Sequence, residues 1–142
     1  MSFVKFASAF ALAGVMAASA ASAAELTVTI KHVRSADGVI SVAIYNTADG
    51  FLEDNAEVRA IDVKAMVGET PVTFKNLQPG TYAVAAFHDE NASGEFDTTF
   101  IGLPEEGYGF SNGASATFGP PAFEAAAVTV DGSATAELPL NY

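Results

Sequence analysis

The sequence predicts an all-β fold: a single antiparallel β-sandwich of about seven strands with one long ordered loop. Three observations predict it. Apolar residues alternate with polar ones over six to eight positions, the period of a half-buried strand. Turn residues punctuate these runs at short intervals. Half of the 142 residues are apolar, enough to build a core. The chain has no Cys, which excludes a disulfide scaffold, a thiol nucleophile, a zinc finger and a lipidated N-terminal Cys.

The first segment is a leader rather than part of the fold. Residues 1–24 read MSFVKFASAFALAGVMAASAASAA, with Lys5 ahead of an apolar stretch from Phe6 to about Ala18. Ala21-Ser22-Ala23 then supplies an A-x-A cleavage site, so residues 1–23 are expected to be a signal peptide cut after Ala23. This predicts a secreted or periplasmic protein whose domain spans 24–142. No second apolar run of 18 residues follows, so no helical membrane span is expected after cleavage.

The domain keeps five bases against 17 acids, a net charge of -12, and no Lys or Arg follows Lys75. A nucleic-acid partner is excluded, because it needs a basic footprint. The partner class that remains is an envelope or extracellular ligand.

The strands follow in order. Leu26, Val28 and Ile30 alternate with polar residues, and Ile40, Val42 and Ile44 repeat the pattern after Ser35-Ala36-Asp37-Gly38. The pair reads as a hairpin, with Gly38 free to take positive φ. Val58–Met66 is a weaker strand, and Val72 with Phe74 a short one. Pro79-Gly80 reads as a type II turn with Gly at the positive-φ position. Thr81–Phe87, Phe123–Val130 and Ser133–Leu140 complete the set, with a helical alternative for the Ala-rich 123–127.

Residues 89–122 break the alternation. A 34-residue irregular segment in a compact domain is usually functional or disordered, and disordered segments are poor in aromatics. Here Phe96, Phe100, Tyr108, Phe110, Phe118 and Phe123 lie in or beside it. The loop is therefore expected to be ordered, its rings forming a small second core.

Its first part carries the sharpest motif. Asp89, Asn91, Ser93 and Asp97 stand at positions 1, 3, 5 and 9 of D-x-N-x-S-G-x-x-D, with Gly94 at 6 and the Glu95 carbonyl at 7. Alternate oxygens on a tightly turning loop converge on one point, as calcium requires. Calcium is the expected ion. Position 12 is Phe100 instead of a bidentate Glu, so a weak site is expected, in the roughly 10⁻⁴–10⁻³ M range. Glu90, Glu105 and Glu106 are the candidate replacement carboxylates.

The stretch Leu77-Gln78-Pro79-Gly80-Thr81-Tyr82-Ala83-Val84-Ala85-Ala86-Phe87-His88-Asp89-Glu90-Asn91, with Gly94 and Asp97, resembles the exported bacterial family called domain of unknown function 2141. So do Gly102 to Asn112 and the later Pro120, Pro121 and Phe123. The resemblance covers residues 25–140 and implies export and a sandwich fold. The L-x-P-G-x-Y-x-V segment is also similar to prealbumin-like sandwiches of surface proteins. That likeness implies a calcium loop of Asp89, Asn91, Ser93, Glu95 and Asp97.

Three functions follow as expectations. The first is a non-catalytic, calcium-ordered binding or structural module of the envelope. The second is a carbohydrate- or peptide-binding module stacking its ligand on Tyr108 and Phe110. The third is a small hydrolase using His88 with the loop carboxylates; a lone His at a strand end is more often structural.

Overall fold

A computed structural model describes residues 23–142, so the leader assigned to residues 1–23 lies outside the described residues but for Ala23. Eight strands follow: β1 (Ala24–Val33), β2 (Val39–Tyr45), β3 (Arg59–Lys64), β4 (Gly68–Leu77), β5 (Gly80–Asp89), β6 (Gly107–Phe110), β7 (Ala127–Val130) and β8 (Ser133–Pro139). A 3-10 turn covers Ser111–Gly113, and a single helical turn, α1, covers Phe123–Ala126. One sheet runs β4-β1-β8. The other runs β3-β2-β5-β6, with β7 also on β5. The two sheets make a β-sandwich. None of the described helices is long and apolar enough to cross a membrane.

Alternation builds the core. Leu26, Val28 and Ile30 of β1, Ile40, Val42 and Ile44 of β2, Phe74 of β4, Val84 of β5 and Leu138 of β8 meet between the sheets. Each such side chain contributes about 1.5–3 kcal/mol by leaving water. The opposite face of the larger sheet is covered too. There Tyr45, Phe51 and Phe110 pack with Phe123 and Tyr108, Phe51 meeting three rings edge-on. That is the second core expected of the loop aromatics, but Phe100 and Phe118 stay out of it and are fully exposed.

Four expectations about the strands are corrected. First, β1 and β2 form no hairpin: β1 pairs with β4 and β8, whereas β2 pairs with β3 and β5. Second, the sandwich is not wholly antiparallel, because β1 and β8 run parallel. Third, Gly80 is not among the positive-φ residues; Gly38 is, at φ +63. Fourth, the irregular segment is shorter than 89–122, because residues 107–110 form β6 on the edge of β5. Phe123–Ala126 takes the helical alternative, and the strand begins at Ala127.

The edge of β5 opposite β2 is shared by two strands laid end to end. Residues 80–83 pair with β7 and residues 85–88 with β6. Val84 falls in the break between them. Its N–H is satisfied by the Ser111 hydroxyl at 3.0 Å, which itself donates to the Ala126 carbonyl. A fully buried serine thus closes the gap in the ladder and ties α1 to it.

Candidate metal centre

The site lies where β5 ends. Ala83, Ala85, Phe87 and Asp89 alternate onto the outer face of the larger sheet, and the chain turns sharply after Asp89. Gly94, at φ +83, permits that turn. Ala92 also holds a left-handed conformation, at φ +51, which costs a residue with a Cβ about 1 kcal/mol.

The turn closes on its own oxygens. Asp89 Oδ1 accepts the Ser93 N–H at 3.0 Å and Oδ2 the Gly94 N–H at 2.8 Å. Asn91 Oδ1 accepts the Ser93 N–H at 3.1 Å. Asp97 Oδ2 accepts Asn91 Nδ2 at 2.7 Å and the Ser93 hydroxyl at 3.1 Å. The Ser93 hydroxyl also reaches the Glu95 carbonyl at 3.1 Å. The five residues of the D-x-N-x-S-G-x-x-D reading are therefore joined in one network.

A sixth residue completes it. Glu106, only 7 % exposed, immediately precedes β6. Its Oε2 accepts the Asp97 N–H at 3.1 Å, and its Oε1 is buried without a partner among the described residues. Asp89, Asp97 and Glu106 each bring a carboxylate oxygen within 4.8 Å of the others, an arrangement that could hold a metal ion. Of the three carboxylates offered as replacements for position 12, the structure brings Glu106 into the cluster. Glu90 instead binds Arg34 at 2.6 Å and the Ser35 hydroxyl at 3.0 Å. Glu105 stays exposed at the rim. A cleft lined by Arg34, Glu90, Asn91, Asp97, Glu105 and Glu106 opens onto the cluster.

Three carboxylates this close repel one another, and at Glu106 that repulsion adds to the effect of burial. Burial pushes the Glu106 carboxyl up; the Asp97 amide opposes this, and the Asp97 and Asp89 charges add to the rise. Burial also pushes Asp89 up, but the amides of Gly94 and Ser93 outweigh it and hold the carboxyl below its ordinary value. The donors are all oxygens, from carboxylates, a side-chain amide, a hydroxyl and a carbonyl. Hard cations such as calcium favour that set, while zinc and copper favour nitrogen and sulfur.

The remaining predicted residues lie in other settings. His88 is fully buried on the inner face. Its Nδ1 meets the Tyr142 hydroxyl at 2.8 Å and its Nε2 the Asp37 carbonyl at 2.7 Å, so both ring nitrogens are engaged. Phe110 is buried in the outer aromatic cluster, and Tyr108 is half-buried beside it. A larger depression elsewhere, lined by Thr29, Asn112, Thr135, Glu137 and neighbours, offers one carboxylate, already paired with Lys31.

Fold and site define a small β-sandwich with an acidic, oxygen-lined cluster at the end of its central strand. The chain belongs to the family described as an uncharacterized protein conserved in bacteria (DUF2141), whose model matches residues 28–137. No curated protein and no solved structure matches it.

Proposed function

We propose that this protein is an exported, non-catalytic module of the cell envelope whose 89–106 segment is held in shape by calcium. Asp89, Asn91, Ser93, the Glu95 carbonyl and Asp97 would supply ligands from the turn, and Glu106 the closing carboxylate. The observation that carries this reading is the partnerless Oε1 of Glu106, buried beside two other carboxylates. A buried carboxylate oxygen without a donor is costly, and a divalent cation would answer both the missing partner and the mutual repulsion. Export is supported by the leader-like residues 1–23. Ala24 opens β1, so a cut after Ala23 would leave every strand intact. The non-catalytic reading is supported by His88, whose two nitrogens are already committed.

The test is a thermal melt of residues 24–142, which hold all eight strands, in chelator, in calcium and in magnesium. At millimolar calcium the reading predicts a gain of about 1 kcal/mol and a smaller gain in magnesium. Asp89→Ala should remove the calcium response. Equal melting temperatures in chelator and calcium would refute the metal reading.

A further inference from the structure

The candidate ligands Asp97 and Glu106 sit at the base of a small hairpin. The Glu105 N–H donates to the Asp97 carbonyl at 3.0 Å, Thr98 bridges Pro104, and the Thr99 N–H donates to the Leu103 carbonyl at 2.8 Å. The Gly102 N–H closes a four-residue turn onto the Thr99 carbonyl at 2.8 Å. Phe100 and Ile101 occupy the two central positions of that turn. Phe100 is fully exposed, and Ile101 and Leu103 are 66 % and 58 % exposed. Residues 98–104 carry no charge, although acids flank them at Asp97 and Glu105.

We infer that this hairpin tip docks on a membrane: with calcium held at its base, Phe100, Ile101 and Leu103 enter the interface of a bilayer that carries anionic phosphate headgroups. The inference rests on the calcium reading of the same site. Three observations select a bilayer as the occupant. The tip is convex, two apolar side chains at the apex of a turn, which suits insertion between headgroups better than capture by a groove. Aromatic and aliphatic side chains on an uncharged segment are what the bilayer interface accepts. Charge complementarity supplies the switch. Without a cation, the acidic cluster at the base of the tip is repelled by an anionic surface. With one, two of those negative charges are offset, and a lipid phosphate is a fitting oxygen ligand for the cation. Because Asp97 and Glu106 stand on opposite arms of the hairpin, the same cation would also fix the angle at which the tip projects.

The experiment is flotation of residues 24–142 with vesicles of equal parts phosphatidylcholine and phosphatidylglycerol, in calcium and in chelator. Calcium heats are measured in parallel on the same samples. Wild type should float at least about tenfold more in calcium than in chelator, and little with phosphatidylcholine alone. The double substitution Phe100→Ser with Ile101→Ser, at exposed positions outside both cores, should keep the calcium heat and lose most of the flotation. Calcium heat without flotation of wild type would overturn the membrane inference and leave the calcium site standing. Absence of calcium heat would overturn both. Flotation by the double variant equal to wild type would overturn the role of the tip. Calcium-dependent dimerisation without flotation would assign the tip to a second copy of the chain instead.

Discussion

Glu106 is the residue on which the site turns. Its carboxyl holds its proton to higher pH when folded than when unfolded. The stability this confers is present in acid and is lost as pH rises through the raised value. At neutral pH without calcium, the charge on Glu106 therefore works against the fold. Glu106→Gln should raise the melting temperature in chelator and should abolish the calcium response; scanning calorimetry with and without calcium checks both. Glu90 behaves in the opposite sense. The Arg34 guanidinium, opposed in part by burial and helped by the Ser35 hydroxyl, holds its carboxyl below the ordinary value. That contribution is present above about pH 4.5 and is lost as pH falls through the lowered value. Wild type should exceed Glu90→Gln in melting temperature at pH 7 by a small margin, since half-exposed pairs are worth about 0.5 kcal/mol, and the two should converge near pH 3.

At the scale of elements, two small residues decide how strands meet. Ser111→Ala should cost about 1–3 kcal/mol, because the buried Val84 N–H would lose its acceptor in the break between β6 and β7; urea unfolding measures it. At Gly38, a Cβ would come within 1.9 Å of the Asp89 carbonyl oxygen, and the residue also sits at φ +63. Gly38→Ala should therefore destabilise the fold and, on the proposed calcium reading, weaken calcium binding, by pushing on the backbone of Asp89. The same elements mark what the sequence could tell. Alternation in β1, β2 and β8 was legible, because one face of each is buried more deeply than the other, whereas β5 is buried on both faces and showed itself by Tyr82 and Val84. The partners of β1 were not, since alternation assigns a face and says nothing of which strand lies alongside. β6 was missed because two of its four residues are glycines. Gly109 is there because a Cβ would come within 2.1 Å of the Pro139 carbonyl oxygen. The signal was present in Gly107-Tyr108-Gly109-Phe110, where a small residue and a ring alternate with the period of a strand.

At the scale of the whole molecule, the sandwich is a frame that holds one acidic turn against one uncharged hairpin. The turn's cluster of oxygens was legible because alternate residues of a short, tightly turning segment bring their side chains together. Glu106 could be named only as one of three candidates, because it arrives from the far arm of the hairpin and its partner is chosen by the fold. If calcium joins those arms, it should also protect the hairpin. Limited proteolysis within 98–104, with chymotrypsin cutting after Phe100, should slow several-fold in calcium while cleavage elsewhere is unchanged. The most direct test of the central claim is calorimetric titration of calcium into chelator-stripped residues 24–142, wild type beside Glu106→Gln. The account predicts saturable heat, one ion per chain, for wild type and none for the variant. Absence of wild-type heat, or equal heat from both proteins, would contradict it.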